Sequence, residues 1–289
     1  VRLTSDVSLP LGWLLLLPMD MKLLAESQWT MALFSSNFLF LSESGYFDVG
    51  SDLKPLLHTW SLAVEEQYYI LFPLFLILVW RHGKDKFIAI VATIAGLSLA
   101  AAQWGIAHYP MASFYLLPTR AWELMVGALV ALFLARHPGY IASYRTNQIL
   151  SLIGVGLISY SIFFFSDGTP VPGLYALIPT AGVALILLYS KPDTFVGTLL
   201  GLKGMVAIGL ISYSAYLWHQ PIFALVRHAS LKEPGRGVFA ALVCGAFVLA
   251  FLSWRYVEKP FRSGKWIKGP GILVSALAGT IFFVSTGLL

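Results

Sequence analysis

Charge and sulfur are what this chain has least of. Only 11% of its 289 residues are charged, 19 Lys and Arg against 14 Asp and Glu. Soluble domains carry about 25%. The scarcity excludes an ordinary soluble domain, because too little polar surface remains to cover it. A single cysteine, Cys244, inside an apolar run, excludes an internal disulfide framework and any Cys-based metal site. Missing too are HExxH, GxSxG, a Walker A loop and any Cys/His cluster, which sets aside zinc chemistry and ATP hydrolysis. No Asp lies deep in an apolar segment, against an intramembrane aspartyl protease. No metal, permanently bound cofactor or nucleic-acid partner is expected.

Apolar and aromatic residues are abundant instead, 58% and 15% of the chain, with mean hydropathy +0.77. So many aromatics exclude intrinsic disorder. The fold class is therefore all-α, a polytopic helical membrane protein in contact with lipid. A span needs about 20 mostly apolar residues. Read with Gly, Pro and charge as punctuation, apolar stretches fall at Leu9–Leu17, Trp60–Trp80, Phe87–Gly105, Ala121–Ala135, Ile149–Phe165, Leu174–Tyr189, Met205–Val226, Val238–Trp254 and Ile272–Leu289, about nine spans in all. A further segment, Gln28–Leu41, makes a helix of only about 21 Å and reads as interfacial or re-entrant.

Orientation follows from the basic loops. Arg81, Lys84 and Lys86, then Arg136 and Arg145, Lys191 and Lys203, and finally Arg255 to Lys268 fall on one side when the spans alternate. That side is cytoplasmic by the positive-inside rule. The stretch Arg227 to Arg236 is basic but falls outside.

Chemistry is sought among the polar residues that spans should not contain. Glu65 and Glu66 follow Trp60 by five and six residues, about 8 Å into the helix. A carboxylate at mid-span costs about 2.5–3.5 kcal/mol. If the helix reaches back to His58, then His58, Ser61 and Glu65 share a face, and Glu66 points about 100° away. Glu65 could then orient a histidine or receive a proton, and Glu66 could pair with a basic group of another helix. Both could equally be structural glue. Arg120 and Glu123 form an i, i+3 pair at a Pro118-marked helix entry, suited either to packing or to an anion. Tyr216 and His219 sit in the polar and aromatic run Ser212 to Pro221, where Pro221 leaves a carbonyl of the preceding turn without its helical donor.

The run Lys54-Pro-Leu-Leu-His58-Thr-Trp60-Ser61-Leu-Ala-Val-Glu65-Glu66-Gln-Tyr-Tyr69 resembles the signature segment of the acyltransferase family 3 of bacterial membrane O-acyltransferases. Ser44 to Asp48, Arg120-Ala-Trp-Glu123-Leu124, Ile211 to Pro221 and Trp254 to Arg262 resemble further family segments, in the family's order. The resemblance implies a multi-pass protein of the bacterial cytoplasmic (inner) membrane. It implies transfer of an acyl group, usually acetyl from acetyl-CoA as co-substrate, to a hydroxyl of a cell-envelope glycan such as lipopolysaccharide O-antigen, peptidoglycan or exopolysaccharide. On this reading residues 1–269 form the acyltransferase membrane domain without its first two spans. Residues 270–289 form an additional transmembrane helix toward an extracytoplasmic SGNH-type domain. The family's catalytic base, a His placed ten residues after an Arg, is expected upstream of Val1, so no residue here inherits that role. His58, Trp60, Ser61, Glu65, Glu66, Arg120, Glu123, Tyr216 and His219 are candidates for the acceptor path or its structural support. A transporter of a lipid-linked or small anionic solute is the alternative.

Overall fold

The computed structural model describes residues 2–44, 50–80, 84–140, 142–230, 234–263, 271, 278–281 and 284–285. Among these every regular element is helical. The chain divides into two units, residues 1–63 with 207–289, and residues 64–206.

In the first unit, α1 (Arg2–Leu15) is followed by α2 (Pro18–Ala32) and α3 (Ser36–Ser42). Pro18 separates the first two by disfavouring helical geometry in the residue before it, and Leu17 is extended at φ −70°, ψ 157°. Gln28–Leu41 is not one short helix. Phe34 takes a positive φ of 54°, a left-handed conformation that costs a residue with a Cβ about 1–2 kcal/mol, and it breaks the segment between α2 and α3. Helix α4 (Thr59–Trp80) starts in this unit and continues into the second.

The second unit contains the rest of α4, then α5 (Lys84–His108), the short α6 (Pro110–Tyr115), α7 (Leu117–Arg136), α8 (Tyr144–Phe164), α9 (Leu177–Tyr189) and α10 (Phe195–Leu200). Its core is built from Tyr68 of α4, Phe87, Val91 and Ala95 of α5, and Trp122 and Met125 of α7. Helices α8 and α9 meet at glycines: a Cβ on Gly154 would lie 2.7 Å from the Gly182 carbonyl oxygen, and one on Gly182 would lie 2.8 Å from that of Gly154. Small residues permit such backbone approach between helices in lipid.

Helix α11 (Lys203–Ala229) leads back into the first unit. There α12 (Arg236–Ser253), a π-helical turn (Trp254–Glu258) and α13 (Lys259–Arg262) follow. Two bonds tie α11 to this last helix. Trp218 Nε1 donates to Ser253 Oγ at 2.7 Å, and Ser214 Oγ donates to Glu258 Oε2 at 3.1 Å. The step is four residues on α11 and five on its neighbour. Five residues of α-helix would turn Glu258 about 140° away from Ser253; the π turn's i→i+5 spacing returns it to the same face.

Among the described residues, five helices are long and apolar enough to cross a membrane: 59–80, 86–108, 110–136, 144–164 and 236–262. That is fewer than the nine expected. Helix α9 is short at 13 residues and α1 has 14. Helix α11 has the length, 27 residues, but its run from Ser212 to Pro221 lowers its hydropathy. Most of the expected span Ile272–Leu289 lies outside the described residues, as do Gly45 to Asp48 of the sequence motif.

Candidate functional site

The first unit brings four of the candidates together. The chain turns through Pro55 to His58 before α4 begins at Thr59, so His58 sits just ahead of the helix and not within it. Tyr216, from α11, donates its hydroxyl proton to the His58 carbonyl at 2.5 Å. With that proton committed, the 2.6 Å contact between Ser61 Oγ and Tyr216 Oη has Ser61 as donor. His219 Nδ1 lies 2.6 Å from the Tyr216 carbonyl. A carbonyl only accepts, so Nδ1 carries the hydrogen and donates it.

The His58 ring is buried, 6% exposed, and packs edge-on against Tyr216 and His219 with centroids 5.3 and 5.5 Å apart. Neither of its ring nitrogens has a hydrogen-bond partner. Burial first, and then the His219 imidazole, push its pKa down to about 3, so the ring is neutral at physiological pH. The cluster therefore presents two imidazoles beside a hydroxyl pair, an arrangement able to hold a hydroxyl-bearing ligand by hydrogen bonds. Trp60, the second residue of α4, is half-buried.

A strap holds this segment on α11. Gln220 Nε2 donates to the carbonyls of Ser51 and Lys54 at 3.2 and 3.1 Å, and His228 Nε2 donates to that of Leu53 at 2.9 Å. Arg227 pairs with Asp52 at 3.3 Å, and its guanidinium lies 5.3 Å from the centre of the Phe239 ring. His228 Nδ1 faces Asp20 at 3.9 Å. None of these residues was among the candidates. Their spacing was the available signal, since Gln220 and Arg227 are seven apart and share a helix face.

The second unit contains the others. Arg120 and Glu123 form the i, i+3 ion pair at 3.1 Å, each side chain about a fifth exposed at 21% and 24%. The Arg120 guanidinium lies 5.6 Å from the Phe114 ring centre. Their helix entry is fixed from α5: Ser98 Oγ donates to the Pro118 carbonyl at 2.6 Å and accepts from the Trp122 N–H at 3.1 Å. Glu123 borders a small cavity of about 190 Å³ with Thr180 of α9. Glu65 and Glu66 are both half-buried on α4 in this unit. Among the described residues no group of three His, Cys, Asp or Glu side chains could hold a metal ion.

A family profile described as an acyltransferase domain matches residues 11–255. The chain is 29% identical over 245 residues to a peptidoglycan O-acetyltransferase of Listeria monocytogenes, a match covering 80% of this chain and 39% of that protein. It is 30% identical over 249 residues to a putative peptidoglycan O-acetyltransferase of Bacillus subtilis, covering 80% and 38%. A putative O-acetyltransferase of Staphylococcus aureus is 29% identical over 241 residues, covering 78% and 39%. The chain thus spans about two fifths of the length of these relatives. No solved structure matches it.

Proposed function

The chain belongs to the acyltransferase-domain family of membrane proteins, and from that premise we propose that it transfers an acetyl group from acetyl-CoA to a hydroxyl of a cell-envelope glycan across the bacterial inner membrane. The glycan oxygen attacks the thioester carbonyl carbon, the C–S bond breaks, and the thiol leaves with the proton taken from the hydroxyl. The names of the relatives favour peptidoglycan as acceptor. Such a transfer needs a base for the hydroxyl proton and donors for the oxyanion. It also needs a polar route through an apolar bundle.

The observation that carries the reading is the part-buried cluster of His58, Ser61, Tyr216 and His219, whose donors and acceptors are ordered around the buried His58 imidazole, itself without hydrogen-bond partners. By the positive-inside rule this end faces outward, toward the acceptor. The cluster, with Trp60 of the same unit, shapes the acceptor's path, and Glu65, Glu66, Arg120 and Glu123 of the second unit are proposed for the same role from their sequence motifs alone; the catalytic base is assigned to none of them. Membranes containing the full-length protein are given radiolabelled acetyl-CoA and the purified glycan. Label in alkali-labile ester on the glycan supports the reading, and normal labelling by both Glu65→Gln and Arg120→Ala overturns the path assignment. Movement of an intact anionic solute without ester formation is the result a transporter gives.

A further inference from the structure

A cavity of about 610 Å³ opens in the second unit where α7 ends, α8 begins and α9 ends. Helices α7 and α8 are both long and apolar enough to cross a membrane, so these ends lie at the depth of lipid headgroups. Tyr140 and Tyr144 line the cavity with Leu134, Asn147, Lys191 and Asp193, and tyrosines gather at that depth because an apolar ring with a polar tip suits it. Three of the polar groups call for a partner. Asn147, only 3% exposed, donates its side-chain N–H to the Ala142 carbonyl at 3.2 Å. Reversing the amide would set two oxygens against each other, so its orientation is fixed. Its Oδ1 has no hydrogen-bond partner, and a buried oxygen without a donor is costly. Lys191 and Asp193 form no ion pair with each other or with any other described residue.

An occupant that answers all three carries a positive and a negative group a short distance apart, with N–H donors on the positive one. We propose that this cavity binds the headgroup of phosphatidylethanolamine. Its ammonium meets the Asp193 carboxylate, gives an N–H to Asn147 Oδ1 and lies by the exposed ring of Tyr144, where a cation is attracted to the ring face. Its phosphate meets Lys191. Phosphatidylcholine has the same charges, but its trimethylammonium has no N–H for Asn147. Phosphatidylglycerol brings hydroxyl donors, yet its one charge is negative and stands opposed to Asp193. The charges of Lys191 and Asp193 sum to zero, which suits a zwitterion. Free phosphoethanolamine shares this chemistry; the position at the ends of membrane-crossing helices, with Leu134 on the apolar side of the lining, selects the lipid. The site stands whether or not the chain transfers acetyl groups.

The full-length protein in detergent is given an equimolar mixture of phosphatidylethanolamine, phosphatidylcholine and phosphatidylglycerol, and the lipids it retains are counted by native mass spectrometry. The ethanolamine lipid is expected to be retained about tenfold over each of the others. Asp193→Asn is expected to lower both zwitterionic lipids about tenfold against phosphatidylglycerol, and Lys191→Gln to lower all three, since all carry the phosphate. Asn147→Leu is expected to abolish the preference for ethanolamine over choline. If that variant does not fold, the same preference in the wild type and its response to Asp193→Asn decide. Equal retention of the three lipids, a preference for phosphatidylglycerol, or retention unchanged in Asp193→Asn and Lys191→Gln overturns the site. Soluble phosphoethanolamine at the same concentration is expected to leave the bound lipid in place; displacement would assign the site to the free phosphate ester and overturn the lipid.

Discussion

The Tyr216 hydroxyl donates to the main-chain carbonyl of His58 across 158 positions of sequence, joining the turn before α4 to the middle of α11. Through its own carbonyl the same residue fixes the tautomer of His219. One residue therefore sets both, the height of the His58 turn through its side chain and the face that His219 offers through its main chain.

Tyr216→Phe keeps the ring packing and removes the hydroxyl, leaving the His58 carbonyl and the Ser61 hydroxyl only their long 3.4 Å contact with each other. Loss of a part-buried bond of this kind costs about 1–3 kcal/mol. The variant is expected to melt lower in detergent and to lose glycan acetylation, whereas Ser61→Ala, which leaves the bond to His58 intact, is expected to cost less. Equal melting of wild type and Tyr216→Phe would show that the turn is held without this hydroxyl, by the strap and by Ser36 Oγ on the Thr59 carbonyl.

His58 predicts a pH dependence of stability. Its imidazole titrates near 6.5 when unfolded and near 3 when folded. Between these values the unfolded chain binds a proton that the folded chain does not. Stability from this group is therefore complete above about pH 6.5 and falls as pH drops toward 3, by up to about 1.4 kcal/mol per unit. The unfolding free energy is measured at pH 7.5 and 5.5 for wild type and His58→Phe; the variant's slope should be the shallower.

The strap explains a violation of the loop-charge pattern. On the orientation expected from the loop charges Arg227 falls on the outer side, against the positive-inside rule; its charge is spent on Asp52 and on the Phe239 ring. Because Asp52 is 70% exposed, Asp52→Asn is expected to change stability by well under 1 kcal/mol. Arg227→Ala also loses the packed guanidinium and should cost more. Limited proteolysis near residues 50–54 is expected to accelerate in Arg227→Ala and not in Asp52→Asn.

Much of this was legible because hydropathy and loop charge act locally. The helical fold class, α4, α5, α7, α8 and α12, and the Arg120–Glu123 pair all follow from spacing within one segment. What was not legible depends on distant partners. The positive φ at Phe34 splits 28–41 without a glycine to announce it, and the π turn at Trp254–Glu258 exists in register with Ser214 and Trp218. The Ser98 hydroxyl, one of a few polar side chains in an Ala-rich apolar helix, gave no sign that it orders the entry of α7. The grouping of His58 with Ser61 on a helix face was nearly right, but the helix begins one residue later and the ring's neighbours come from α11.

The glycines of α8 give a matched pair. A methyl group on Gly154 would lie 2.7 Å from the backbone oxygen of Gly182, which cannot swing aside as a side chain can, while at Gly156 there is nothing within 4 Å. Gly154→Ala must therefore push α8 and α9 apart, at a cost of about 1–3 kcal/mol. Gly156→Ala adds helix propensity and removes backbone freedom from the unfolded chain, a gain of up to about 1 kcal/mol. The two substitutions are chemically identical and two residues apart, so composition and hydropathy cannot distinguish them. Unfolding midpoints that shift down for Gly154→Ala and stay level or rise for Gly156→Ala would establish that direct α8–α9 backbone contact, and not glycine's conformational freedom, is what position 154 requires.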